Sequence, residues 1–248
     1  MGPPQVPGPA LAAQARALCG GGSGLTVLLG VTPAYVGIGD SLLAFDAAAG
    51  MIAAIWPGDT GRQRAEVADW RHLPLPDGAA RQVIGDGSLN AVPDWAILRA
   101  VLSETRRILA PDGRAVVRVF VRPEGGETLD QVLSAAREGR IGSLNVLRWR
   151  LASALAVAPE YQVAVHDILA AAERLGDLEA LAGATGMDPA EAEHLRAYRD
   201  QTATYVFPDR DALAADALAA GLACDWVETT GYPGARDCPF AVLRHRDR

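Results

Sequence analysis

The sequence contains no lysine, and all 23 of its basic residues are arginine. A Walker A loop, a kinase lysine and a Schiff-base lysine each require a primary amine, so those three chemistries are excluded. No apolar stretch approaches the roughly 20 residues needed to span a bilayer. The opening "MGPPQVPGPALAAQARALCGGGSG" lacks both a basic n-region and a long apolar core. It reads as a loose tail around one short helix rather than as a secretory leader. Cysteine is scarce as well. Cys19, Cys224 and Cys238 are scattered and odd in number. They fit reduced thiols in a cytoplasmic protein better than a disulfide frame or a zinc site. The net charge of −7 argues against non-specific nucleic-acid binding.

What is present points to a folded α/β chain. Half of the 248 residues are apolar and 21% are charged, enough for one sizeable domain with an insertion. Residues 25–31, "LTVLLGV", read as a fully buried strand, and residues 41–46, "SLLAFD", as a second. Residues 47–56 read as a helix that stops at Pro57-Gly58. Residues 64–69 and 81–86 supply a third and a fourth strand. Residues 94–109 form an amphipathic helix with apolar positions at Ile97, Val101, Leu102, Ile108 and Leu109. A turn at Pro111-Asp112-Gly113 leads into a fifth strand, 114–121. Strands alternating with helices or loops at this spacing predict a parallel sheet whose strand ends share one edge.

The chain changes character after residue 123. Residues 124–202 are helical, rich in Ala, Leu, Arg and Glu, and read as an insertion or cap on a core of 24–123. From 203 to 248 a helix opening at Asp209 or Asp211 and two runs, "CDWVETTGY" and "CPFAVLRH", suit an antiparallel hairpin closing the core sheet. The tail occupies 1–23.

Gly30, Asp46, Asp69 and Asp86 all fall at predicted strand ends. Asp46 can accept hydrogen bonds from both ribose hydroxyls of an adenosine cofactor, or it can cap the helix that opens at Ala47. Asp69 can reach an adenine amine with Trp70 against the ring, or the pair can be turn chemistry. In "IGDGS", the two glycines around Asp86, Gly85 and Gly87, let the backbone approach a ligand closely while Asp86 and Ser88 meet its polar end or the substrate; the alternative is a tight turn. The first strand ends in "LGVTP". Gly30, Gly37 and Gly39 have the wrong spacing for the G-x-G-x-x-G that holds a pyrophosphate. Pro33 instead fits the first turn of a short helix with Thr32 as N-cap, and free amides there can receive a carboxylate. Such a loop suits an adenosyl cofactor that carries a carboxylate.

The stretch from "LTVLLGVTPAYV" through "LLAFDAAAGMIAAIWPG", "VADWRHLPLPDG" and "VIGDGSLNAV" to "ETRRILAPDGRAVVRVFVRPE" resembles the class I S-adenosylmethionine-dependent methyltransferases over about residues 24–124. The resemblance implies a Rossmann-like sheet in the order 3-2-1-4-5-7-6, mostly parallel with the C-terminal antiparallel hairpin, plus the helical insertion. It implies S-adenosylmethionine held by Gly30, Val31, Thr32, Pro33, Asp46, Ala47, Met51, Asp69, Trp70, Asp86, Gly87 and Ser88. The usual first motif, an acidic residue followed by G-x-G-x-G, is replaced here by a "GVTP" version found in a divergent subgroup. That subgroup implies a Glu after the Pro; the chain has Ala34, one polar contact fewer.

Other residues carry weaker signals. Arg118 and Arg122 share one face of the fifth strand. Arg118 either binds a substrate carboxylate or forms a buried ion pair. His72 and His166 are candidate general bases, although methyl transfer to an already nucleophilic atom needs only alignment. The segment 138–156 either caps the cleft with Asn145, Arg148, Trp149 or Arg150 or forms a dimer surface. The expected partner is a small-molecule acceptor, with no nucleic acid and no membrane, and a homodimer is compatible. Three rival readings stay open. One is a degenerate, regulatory protein that kept the pocket. Another uses the same cofactor for intramolecular cyclisation. The third, a nicotinamide oxidoreductase, is disfavoured by the missing pyrophosphate loop.

Overall fold

The computed structural model describes residues 6–21, 23–123 and 125–246. The first five residues of the tail, Gly22, Glu124 at the start of the insertion and the last two residues lie outside the described residues. Seven strands form the main sheet: β1 (Leu25–Leu29), β2 (Ser41–Asp46), β3 (Gln63–Val67), β4 (Ala80–Asp86), β5 (Leu109–Arg118), β8 (Leu222–Val227) and β9 (Phe240–His245). Their order is β3-β2-β1-β4-β5-β9-β8. The first five are mutually parallel, and β9 runs antiparallel to both β5 and β8. This is the order 3-2-1-4-5-7-6 that the family resemblance implies.

The central strands explain the layering. Val27, Leu28 and Leu29 of β1 are all buried, so both faces of the sheet are covered, as a parallel sheet requires. One face packs on α3 (Trp95–Ile108) and α9 (Arg210–Ala219) through Leu98, Val101, Leu102 and Leu213. Asp94 caps α3 by accepting from the Ile97 amide at 2.8 Å. The other face packs on α1 (Pro9–Cys19) and the short turn Pro33–Tyr35. The tail is therefore not loose from residue 9 onward. Leu11, Ala15 and Cys19 recur every four residues and bury one stripe of α1 against Leu28, Tyr35 and Ile84. Burial pushes the Cys19 and Cys238 thiols up to about 11 and about 12, as expected for structural cysteines.

One boundary differs from the sequence reading. The expected fifth strand, 114–121, stops pairing as a strand at Arg118, and the Pro111–Gly113 bend lies within β5. Residues 119 and 121 instead donate to the carbonyls of Pro239 and Asp237 at 2.9 Å each. The "TATYVF" segment does not enter the main sheet. Its strand β7 (Thr204–Val206) pairs with β6 (Gln162–Ala164) in a separate two-stranded ribbon.

Between β5 and α9 the chain builds a helical block with its own core. It comprises α4 (Leu129–Arg137), α5 (Leu144–Leu155), α6 (Val165–Glu173), α7 (Leu178–Thr185) and α8 (Ala192–Arg196). Leu133, Leu147, Leu151, Ile168 and Leu195 fill its interior. Phe120, just beyond β5, belongs to this cluster, and the Trp149 ring of α5 stacks on it at 4.3 Å and 11°. Asn90 locks the junction. Its side-chain amide donates to the Phe120 and Val206 carbonyls at 2.8 Å each, and its carbonyl oxygen accepts from the Phe120 amide at 2.9 Å. Among the described residues no helix is long and apolar enough to cross a membrane.

Candidate functional site

The parallel register sets the carboxyl ends of the strands side by side. Leu29 is level with Phe45 on one side and Gly85 on the other, so the next residues in line are Asp46, Gly30 and Asp86. Gly30 adopts φ +100°, a conformation that L side chains rarely take. A methyl group added there would meet nothing nearer than the Trp70 ring at 3.9 Å. The backbone above Gly30 is thus open to a ligand. Its amide donates to the Phe45 carbonyl at 2.8 Å, which fixes the turn.

Asp46 stands beside this opening. One carboxylate oxygen, Oδ1, accepts from the Ala48 amide at 2.8 Å. Ala48, not Asp46, is the N-cap residue of α2 (Ala49–Ile55). No protein hydrogen bond occupies Oδ2 among the described residues, so that oxygen can face a ligand. Partial burial pushes the carboxyl above its ordinary range, and the Ala48 amide pulls it back. Ala47 and Met51 flank it from the solvent side, with Met51 45% exposed.

Asp69 and Trp70 follow β3. Asp69 accepts from the Arg71 amide at 2.9 Å and from the Arg71 guanidinium at 2.5–3.0 Å. These bonds hold its carboxyl at about 2. The Trp70 indole N–H donates to the Phe45 carbonyl at 2.6 Å, which lays the ring across the strand ends next to Gly30. An apolar wall therefore borders the opening above Gly30 on the β2 side.

Three expected contacts are placed otherwise. Asp86 is not open to a ligand: its carboxylate forms a bidentate pair with Arg118 at 2.5 and 3.0 Å, and the two side chains are 6% and 0% exposed. Burial pushes the Asp86 carboxyl up, and the guanidinium against it opposes this. Of the two readings of Arg118, the buried ion pair is the one formed. Tyr232 adds a hydroxyl to Arg118 at 3.3 Å, and the buried Tyr35 ring lies beside the pair. Ser88 is also spent inside, its hydroxyl donating to the Leu29 carbonyl at 2.7 Å. Thr32 stands at the N-cap position of the Pro33–Tyr35 turn but makes no side-chain cap bond. Val31 is core, and Pro33 is exposed. Gly87, at φ +65°, sits under Phe120, where an added methyl would come within 3.0 Å of that ring.

The other candidates separate into two groups. His72 and His166 are exposed. Asn145 bonds Glu191 at 2.6 Å and His194 at 3.1 Å inside the cap, and Arg148 is sandwiched by the Trp149 and Tyr198 rings at 4.8 and 5.4 Å. Trp149 and Arg150 instead reach a small chamber of about 30 Å³ beside Phe120 and Asp237. Arg150 is paired there with Glu127. The sequence offered no signal for Asn90, Tyr35 or Asp237, because each acts through partners brought in by topology.

No protein-family model and no curated protein matches the sequence. Solved structures match its backbone. An S-adenosylmethionine-dependent methyltransferase from Mesorhizobium loti is similar at TM-score 0.52 and 14% identity, over 94% of this chain and 96% of that one. The 1,6-didemethyltoxoflavin-N1-methyltransferase of Burkholderia thailandensis, solved with its substrate and S-adenosylhomocysteine, is similar at TM-score 0.51 and 14% identity, over 95% and 76%.

The fold is that of the class I S-adenosylmethionine-dependent methyltransferases.

A Rhodobacter sphaeroides protein named for the Zn-dependent alcohol dehydrogenases shares this methyltransferase-type backbone at TM-score 0.60 and 14% identity, over 98% and 91%. At such identities the likeness is one of fold, and chemistry has to be argued from the site. Among the described residues no group of three His, Cys, Asp or Glu side chains could hold a metal ion.

Proposed function

We propose that the protein is a methyltransferase that uses S-adenosylmethionine and acts on a small-molecule acceptor. The observation that carries this reading is the adjacency of Gly30 and Asp46. An open, positive-φ glycine lies level with a carboxylate whose second oxygen is unspent. That pairing fits an adenosyl group: backbone approaches at Gly30 while Asp46 accepts from the ribose hydroxyls. In this reading Asp69, one strand further along, accepts from the adenine amine beside its pairing with Arg71, with Trp70 against the ring. Val31, Thr32 and Pro33 shape the loop, and Ala47 and Met51 border the ribose side. Asp86, Gly87 and Ser88 support the site from below, by pairing, by close packing and by tying the β4 loop to β1.

The cofactor supplies an electrophilic methyl group on a sulfonium. The protein's part is to align the acceptor and exclude water. The Phe120–Trp149 stack, anchored by Asn90, joins the helical block to the end of β5, and in this reading it contributes to that exclusion. A general base is not required when the acceptor atom is already nucleophilic.

Incubation with S-adenosylmethionine and a panel of small acceptors, followed by mass spectrometry, tests the reading. Acceptor-dependent S-adenosylhomocysteine is the expected product. Methylthioadenosine released without acceptor would instead mean cyclisation of the cofactor.

A further inference from the structure

Beyond the end of β5 the edge holds a second feature that cofactor binding does not use. A cavity of about 650 Å³ lies between residues 121–123 and 125–126, the start of α9 and residues 236–237. A neighbouring cavity of about 450 Å³ shares Arg236 and Asp237 with it. The small chamber under Phe120 and Trp149 also has Asp237 in its wall. Asp237 is therefore common to all three spaces, and the innermost is walled by the residue that covers Gly87.

The charges lining the largest cavity are unevenly spent. Asp209 caps α9 through the Ala212 amide at 2.7 Å and accepts from the Tyr161 hydroxyl at 2.7 Å. Arg210 is bidentate with Glu228 at 2.5 and 3.0 Å. Asp211 is exposed at the mouth. Arg122 and Arg236, in contrast, have no side-chain hydrogen bond and no ion pair among the described residues. The Nε of Arg122 is buried with no hydrogen-bond partner among the described residues, and its guanidinium rests on the Tyr161 ring at 5.9 Å.

The backbone puts these two cations together. Phe240 pairs with Arg118, and the amides of Val119 and Val121 continue the same antiparallel register to Pro239 and Asp237. Arg122 follows Val121 directly, and Arg236, exposed on the short turn Ala235–Asp237, lines the same cavity. Two like charges lining one cavity are unfavourable unless an anion joins them. The Asp237 carboxylate, next in the chain, also has no hydrogen bond among the described residues. Partial burial pushes it above its ordinary range, with Arg236 opposing.

We infer that the methyl acceptor is a small oxyanion-bearing molecule, its carboxylate or phosphate held by Arg122 and Arg236 and its hydroxyl or amine nucleophile donating to Asp237. This rests on the methyltransferase reading for the word acceptor, but the binding site stands on the cavity and its unspent charges. Two cations and a carboxylate in the wall of one cavity give such a molecule two different kinds of contact to orient by, which is what alignment for transfer requires.

The test uses side-chain ¹⁵N spectra of arginine in the full chain, titrated with benzoate, phenyl phosphate, benzamide and 4-aminobenzoate. The Arg122 and Arg236 signals are assigned through R122Q and R236Q. Saturable shifts of both signals are expected with benzoate or phenyl phosphate, and the tighter of the two names the oxyanion. Benzamide, of the same shape but neutral, should leave them in place. R122Q should weaken the oxyanion by about tenfold or more, and R122K should restore part of it. 4-Aminobenzoate should bind more tightly than benzoate, an advantage that D237N removes. Equal shifts with benzamide, or oxyanion binding unchanged in R122Q, would overturn the inference. S-adenosylhomocysteine titrated into the same samples separates the two claims. If it binds while the oxyanions do not, only the acceptor inference falls. If the oxyanions bind while it does not, only the methyltransferase reading falls.

Discussion

Arg118 lies wholly inside the protein with its Nε 2.5 Å and one terminal nitrogen 3.0 Å from the Asp86 carboxylate. The two residues are register partners on β4 and β5. Removing one member strands the other charge in a low-dielectric interior, at a cost of about 3–5 kcal/mol. Arg118→Met should therefore lower stability by that amount in urea unfolding. Asp86→Leu combined with Arg118→Met should recover much of the loss. A simple sum of two losses in the double variant would mean that the pair is not coupled.

Asp46 carries the ribose end of the proposed site. Asp46→Ala removes a charged acceptor, a loss of roughly 1.5–3 kcal/mol per hydrogen bond. S-adenosylhomocysteine affinity should fall at least tenfold by calorimetry. Stability should change by only about 1 kcal/mol, since the side chain's one internal hydrogen bond among the described residues is to the Ala48 amide.

Gly30 should tolerate no side chain. At φ +100° an alanine is strained even though space is available above it. Gly30→Ala should cost about 1 kcal/mol or more of stability and weaken adenosyl binding further by intruding on the approach. Gly37, also at positive φ and in open space, is the control: its alanine variant should lose stability and keep affinity.

Asp69 gives a pH signature. Its carboxyl is held at about 2 by Arg71, below the ordinary 3.8. A depressed carboxylate contributes stability above the unfolded value, and that contribution is lost as pH falls from about 4 towards 2. The pair is more than one-third exposed, at 41% and 44%, so solvent screening keeps the effect under about 1 kcal/mol. Carboxyl ¹³C titration should find Asp69 near the low value, and Arg71→Gln should return it towards 3.8.

The sheet was legible because its cause is local. β1 is a β-branched and apolar run suited to a strand covered on both faces, and β1, β2 and β4 close at Gly30, Asp46 and Asp86. The open pair Gly30 and Asp46 was legible for the same reason. Asp86 read equally well as a ligand contact, yet its role depends on which strand lies next to β4, and pairing with Arg118 decides it. The stripe Leu11, Ala15, Cys19 was hidden by the Pro/Gly content around it. Asp237 and Arg236 sit in what reads as a plain turn. They matter only because hydrogen bonds beyond the end of β5 tie Val119 and Val121 to Pro239 and Asp237, so that this turn and Arg122 line one cavity.

The most direct measurement is calorimetric titration of the purified chain with S-adenosylmethionine and S-adenosylhomocysteine. Micromolar binding near one ligand per chain, lost in Asp46→Ala, is the expected result. Failure of both ligands to bind a folded protein would contradict the cofactor site at Gly30 and Asp46.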